Sequence, residues 1–335
     1  MSEGGPHLFR WDLDKTYLKT EFETFRGMLR AAREKAEEKQ AYPGARELLS
    51  ALSKSADHRL GIVSGSPKFM AEVLGKKLDI DGVRFDQMVL KPQMESMVKL
   101  RLRALREQVG YKLPVLFEGR RDLGQELPET LVGDDVEMDA FVYSLYADLL
   151  AGRVPWEDAL EVFDKARLYS DTVEHIRELV EQIEPKDRVK RILVHLDKRT
   201  APGHFGVFGS RVVPFHNYFQ AAAVLLADGR ISLDTCVQVA RALVHKYGFA
   251  EAALIGSLQD IVLRGGPDLN TARQLACALD ADVDIKGCEH EHHLVGSLPG
   301  DYETEPRGAS PLVSYPELFD IERKRRKERK EAAKV

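Results

Sequence analysis

Short apolar runs alternate with longer charged ones through the first half of this chain, and that alternation limits the folds open to it. His7 to Leu13, Arg59 to Ser64, Asp86 to Leu90 and Thr130 to Gly133 are short and apolar, and each meets polar or turn residues at its end. Such runs read as strands. Between them, Glu21 to Gln40, Ala45 to Leu52 and Lys112 to Leu123 have helical composition, with Leu113, Leu116 and Phe117 at i, i+3, i+4. Tyr42-Pro43-Gly44 punctuates the first two of these helices. Strands alternating with helices predict an α/β fold, a mostly parallel sheet covered on both faces.

The second half changes character. Residues 139 to 184 carry helical patterns, including Trp156 to Tyr169 and Ser170 to Ile183, and Val189 to Leu196 returns to strand composition. From Phe215 onward helical periodicity dominates. Asp234 reads as an N-cap, Val237, Ala240, Val244 and Tyr247 share one face, and Gly248 is the stop. The length of 335 residues allows about two domains. The expected organisation is a core over 1–213 with a helical insertion at about 140–185, a helical C-terminal module over 214–320, and a basic, unstructured tail over 321–335. That tail holds eight Lys/Arg against three Glu between 322 and 335. It reads as a solvated, frayed helix, with attraction to a phosphate-rich partner or an anionic membrane as the alternative.

Composition narrows the class. Three cysteines exclude a disulfide scaffold and suit a reducing compartment. A net charge of -5 gives no general pull toward nucleic acid. No apolar run approaches the roughly 20 residues of a membrane helix. The first residues, Met1-Ser2-Glu3-Gly4-Gly5, show neither a basic nor an apolar leader region, so the expectation is a cytoplasmic protein without a transmembrane segment.

Four segments place polar groups where open α/β sheets bind ligands, at the carboxyl edge. In Trp11-Asp12-Leu13-Asp14-Lys15-Thr16, two carboxylates converge once the strand gives way, one to attack an electrophile and one to move protons. In Ile62-Val63-Ser64-Gly65-Ser66-Pro67, a small hydroxyl beside a glycine N–H suits a phosphoryl oxygen. A lysine balances anionic charge. Lys112, 22 residues before Asp134, is the first choice; Lys91 and Lys99 are its rivals. Finally, Gly133-Asp134-Asp135-Val136-Glu137-Met138-Asp139 adds carboxylates that, with Asp12, make an oxygen-rich Mg²⁺ site.

The set resembles the haloacid dehalogenase-like superfamily of phosphatases. The D-x-D-x-T motif reads as Asp12 to Thr16, the strand-terminal Ser/Thr as Ser64, and the acidic G-D-x-x-x-x-D motif as Gly133 to Asp139. The resemblance implies a Rossmann-like doubly wound sheet and a Mg²⁺-dependent phosphohydrolase. Asp12 would be the nucleophile and Asp14 the general acid and base. Thr16, Ser64, Gly65 and the lysine would serve the phosphate. Asp12, Asp14 through its carbonyl, Asp134 and either Asp135 or Asp139 would serve the metal. Ser64-Gly65-Ser66-Pro67 and the acidic motif with Tyr143 look most like the phosphatidate-phosphatase domain of the actin-patch type and its bacterial relatives. Lys15 and Asp135 depart from that pattern, so a phosphorylated small molecule and a lipid-like substrate both stay open. Thr16 to Ser64 and Ser64 to Lys112 leave little room for a large cap, which implies an open site unless the helices after Asp139 form a lid.

Other features have plainer readings. Cys288-Glu289-His290-Glu291-His292-His293 reads as an exposed polar loop rather than a metal site, lacking the spacing of a zinc module. Arg211 reads as a surface or interdomain contact, with reach to the phosphate as the alternative. The rival to an enzyme is a non-catalytic phosphate-recognition or scaffold protein that uses the C-terminal helices.

Overall fold

The computed structural model describes residues 4–20, 34–91, 104–283 and 308–332. Six strands form one parallel sheet: β1 (His7–Asp12), β2 (His58–Pro67), β3 (Gln87–Lys91), β4 (Glu129–Asp134), β5 (Val189–His195) and β6 (Val212–Phe215), in the order β3-β2-β1-β4-β5-β6. The order reverses between β1 and β4. At such a switch point the connections leave toward opposite faces and open a crevice at the carboxyl edge.

Helices α1 (Ala45–Lys54) and α2 (Ala71–Ile80) connect the first three strands, and α3 (Ala104–Leu123) leads from β3 to β4. Next come α4 (Asp139–Leu150), α5 (Trp156–Lys165) and α6 (Ser170–Glu181) between β4 and β5. After β6 the chain continues as α7 (Tyr218–Ala227), α8 (Leu233–His245), α9 (Glu251–Leu263), α10 (Leu269–Val283) and α11 (Tyr315–Ala332).

Side chains alternate across the strands and build two cores. On one face Phe9, Trp11, Ile62, Val132, Leu193 and Val213 pack with α1, α2 and helices α7 to α10. On the other, Leu131, Ile192 and Val194 pack with α3 to α6 and with Leu318 and Phe319 of α11. The helices after β6 therefore cover the sheet itself, which needs apolar cover on both faces. Helix α4 is buried at every position. Its Asp148 is compensated by Arg211 (2.9 Å), Arg153 (2.9 Å) and the Tyr315 hydroxyl (2.7 Å). Beneath the site a second charged group is fully enclosed. Glu129 pairs with Arg10 (2.9 Å) and Arg120 (2.7 Å) and accepts from the Tyr146 hydroxyl (2.9 Å).

Several local expectations change. Helix α8 starts at Leu233, because the Ser232 hydroxyl accepts from Thr235 N (3.2 Å); Asp234 lies in the first turn instead. Residues 34–40 form turns, while 21–33 lie outside the described residues. Strand β6 had no clear signal, being four residues long with Pro214 inside. The segment expected as a tail is helical to Ala332.

Candidate active site

Strand β1 delivers Asp12 to the switch point with 1% of its surface exposed. Beyond it the chain turns sharply. Tyr17 N and Leu18 N both donate to Leu13 O, and Lys15 adopts a left-handed conformation (φ 60°) that β-carbon-bearing residues seldom take. Two groups hold this turn from outside. The His195 ring at the end of β5 meets Lys15 O (2.9 Å), and the Tyr218 hydroxyl of α7 donates to Thr16 O (2.5 Å). Burial pushes the His195 pKa down, leaving a neutral ring that donates through Nδ1. The turn brings Thr16 Oγ1 back to donate to Asp12 Oδ2 (3.2 Å).

The end of β2 faces this turn. The hydroxyls of Ser64 (3.0 Å) and Ser66 (2.6 Å) both donate to Asp14 Oδ2, and Ser66 N donates to Ser64 Oγ (3.0 Å). Burial raises the Asp14 carboxyl above its ordinary pKa, although the two serine hydroxyls oppose the shift. Gly65 lies opposite Glu137, whose Oε1 would be 3.9 Å from a β-carbon added there.

Helix α3 supplies Lys112, with 1% of its side chain exposed. Its ammonium lies 3.6 Å from Asp12 Oδ1 and 2.8 Å from Glu137 Oε2, contacts Asp139 Oδ1, and stands over the Tyr143 ring. Burial works against this charge, but Asp12, Asp139 and Glu137 together hold its pKa well above the usual lysine value. For Glu137, burial is likewise overcome, chiefly by Lys112, and its pKa falls to about 2. Asp12 moves the other way, pushed up by burial and by the neighbouring carboxylates in spite of Lys112.

The loop after β4 is folded by its own acids. Asp134 Oδ1 accepts from Val136 N (2.5 Å) and Glu137 N (2.8 Å), while Asp139 Oδ2 accepts from Asp134 N (3.1 Å). Gly133 makes this fit possible, since a β-carbon there would stand 2.2 Å from Asp139 Oδ2. Asp134 Oδ2 is buried and has no hydrogen-bond partner. Asp12, Glu137 and Asp139 each offer an oxygen, all within 4.8 Å of one another. These carboxylates, all but Glu137 buried, outnumber the one lysine among them. An orphaned buried oxygen beside three convergent ones fits a hard divalent cation.

The structure thus brings together Asp12, Asp14, Thr16, Ser64, Gly65, Lys112, Asp134 and Asp139. Asp135 turns away. Its two carboxylate oxygens accept from Lys198 N (2.9 Å) and Thr200 N (3.0 Å), tying down the loop after β5. Of the two open choices, Asp139 faces the cluster and Asp135 does not. Among the lysines, Lys112 lies in it, Lys91 ends β3 at the edge of the sheet, and Lys99 lies outside the described residues. Cys288 to His293 also lie outside them. Arg211 sits at the opposite edge of the sheet, buried against Asp148 (2.9 Å) and Asp187 (3.3 Å). Glu137 was missed as a site residue. Its signal was a third carboxylate between Asp134 and Asp139 on a loop that must turn within five residues.

Residues 9–117 match the family model of the haloacid dehalogenase-like hydrolases. No curated protein and no solved structure matches the chain.

Proposed function

Taking the haloacid dehalogenase-like core as premise, we propose that this chain is a Mg²⁺-dependent phosphohydrolase that cleaves a phosphate monoester through an aspartyl-phosphate on Asp12. The observation that carries this reading is the pairing of Asp12 with Asp14 on one tight turn. Asp12 stands against Lys112, and Asp14 is gripped by Ser64 and Ser66. Asp12, Asp134, Glu137 and Asp139 are the residues that would hold Mg²⁺, which supplies charge neutralisation for the phosphoryl group.

In the first step an Asp12 carboxylate oxygen bonds to phosphorus as the ester P–O bond breaks, and the Asp14 carboxyl passes its proton to the leaving oxygen. In the second, the Asp14 carboxylate takes a proton from water as that water attacks phosphorus, and the Asp12–phosphorus bond breaks to release phosphate. The Ser64 hydroxyl and the Lys112 ammonium steady the transferring oxygens, which is where phosphoryl transfer gains its rate. Thr16 holds Asp12 in line by its hydrogen bond. The buried Asp14 is also what favours esters. A leaving alkoxide needs a proton donor.

The test is release of phosphate from an aryl phosphate by the full chain with Mg²⁺. Chelation by EDTA or Asp12→Asn is expected to abolish it. Wild-type turnover by Asp12→Asn would refute the nucleophile. Stable binding of phosphorylated compounds without turnover would favour the phosphate-recognition reading instead.

A further inference from the structure

Helix α11 was expected to be a solvated basic tail, yet it presents a polar stripe to the protein. Glu322, Arg325, Arg326 and Arg329 fall at i, i+3, i+4 and i+7, one face of a helix. Arg323, Lys324, Lys327 and Glu328 on the other side are exposed. Three members of the stripe have partners, although the Nε of Arg325 is buried without one. Glu322 accepts from Arg325 (2.7 Å) and pairs with His204 (2.7 Å), and Arg325 also donates to Thr200 Oγ1 (3.3 Å). Arg329 donates to Asp135 O (2.6 Å) and Val136 O (3.2 Å), so it clamps the helix onto the loop that carries the site's acids.

The fourth, Arg326, is different. Its charge acts on Glu137 and Asp134 and is opposed by Arg325 and Arg329. Its Nη1 is buried without a hydrogen-bond partner. Glu137, the carboxylate that would answer it, is already paired with Lys112 at 2.8 Å. A guanidinium withdrawn from water with a donor unmet is costly unless an anion completes it, and its planar fork suits carboxylate or phosphate oxygens. Glu137 keeps 23% of its side chain exposed while Asp12 and Lys112 behind it keep 1%. Glu137 is thus a less enclosed member of the acidic cluster than Asp12, with Lys112 paired to it and Arg326 acting on it from α11.

We propose that Arg326 is a specificity-determining residue that receives a second anionic group of the substrate, beside the phosphate held at Lys112. This rests on the hydrolase reading for its site and adds the substrate class: phosphate monoesters that carry a carboxylate or further phosphate close to the scissile one. It also gives the C-terminal helix a part in the site.

The test uses phosphonates, whose P–C bond the proposed reaction does not cleave, so binding is read whether or not the chain turns over esters. Calorimetry at fixed Mg²⁺ compares phosphonoacetate, which bears the second anion, with methylphosphonate, which lacks it. The full wild-type chain is expected to prefer phosphonoacetate about tenfold, the size of a charged hydrogen bond. Arg326→Gln should bring the ratio near one. Arg326→Lys, which keeps the charge but loses the fork, should fall between, and it serves if the glutamine variant does not fold. A wild-type chain without the preference, or a ratio unchanged in both variants, would overturn the assignment. An Arg326-dependent preference in a chain that hydrolyses no ester would keep it and discard the hydrolase instead.

Discussion

Gly133→Ala puts the construction of the site under the most direct strain. The added β-carbon would stand 2.6 Å from Asp139 Cβ, 2.7 Å from Cγ and 2.2 Å from Oδ2. Ordinary carbon contacts lie at about 3.5–4.0 Å, so Asp139 must retreat by roughly 1 Å. That retreat takes Oδ2 away from Asp134 N and disturbs the contact of Oδ1 with Lys112, whose other partners are Glu137 and Asp12. Overpacking of this kind costs about 1–3 kcal/mol of stability. A displacement near 1 Å among reacting groups costs about 100-fold in rate. The variant should therefore fold with a Tm lowered by several degrees and lose about two orders of magnitude in kcat/KM on an aryl phosphate. In an Asp139→Gly background, which removes the β-carbon as well as the carboxylate, the clash partner is gone, and the added methyl should cost little beyond the loss from Asp139→Gly alone. A Gly133→Ala chain with wild-type Tm and turnover would refute the close-approach argument. So would full additivity with Asp139→Gly.

Other outcomes follow from the same geometry. Asp135→Asn should lower stability by about 1 kcal/mol by weakening the bonds to Lys198 N and Thr200 N, and leave the Mg²⁺ requirement alone. Asp134→Asn should raise the Mg²⁺ concentration for half-maximal activity by roughly tenfold or more; equal effects of the two would overturn the separation drawn between them. Glu129→Ala strips the carboxylate from two buried guanidiniums and should cost about 3–5 kcal/mol in urea unfolding, with a loss below 1 kcal/mol ruling out the enclosed network. For His7, burial and then the nearby Arg230 lower the pKa from 6.5 to about 3. The unfolded chain binds the proton first as pH drops, so this share of stability is complete above 6.5 and lost progressively toward 3. His7→Gln should flatten the fall in stability between pH 6.5 and 4.5 by roughly 2–3 kcal/mol, and an unchanged acid limb would contradict the assignment.

Much of the fold was legible because its strands are buried on both faces. The parallel sheet demands short apolar runs, and β1, β2, β4 and β5 show them with polar residues at their carboxyl ends. Asp12, Asp14, Ser64 and Asp134 follow from that pattern, since a polar group that ends such a strand must lie at the sheet edge. Strand β6 escaped because VVPF is too short to show a period, and its Pro214 argues locally against a ladder. The covering role of α7 to α10 escaped as well. Helical periodicity shows that a face is buried but not against what.

What the amino-acid order determined by itself was the sheet, its carboxyl edge, and the acids and serines that chain connectivity delivers there. What only the tertiary structure decided was how groups from distant elements meet that edge. Lys112 meets Asp12 because α3 packs on the face toward which Asp12 points. Asp139 faces the cluster and Asp135 does not, because backbone amides of residues 198 and 200 take up the Asp135 carboxylate. The basic end of the chain reached the site for a related reason. Leu318 and Phe319 bury their side chains in the core, and the helix they anchor carries Arg326 to Glu137. Local sequence sets which groups leave a strand end, whereas long-range packing sets which charges share a desolvated pocket.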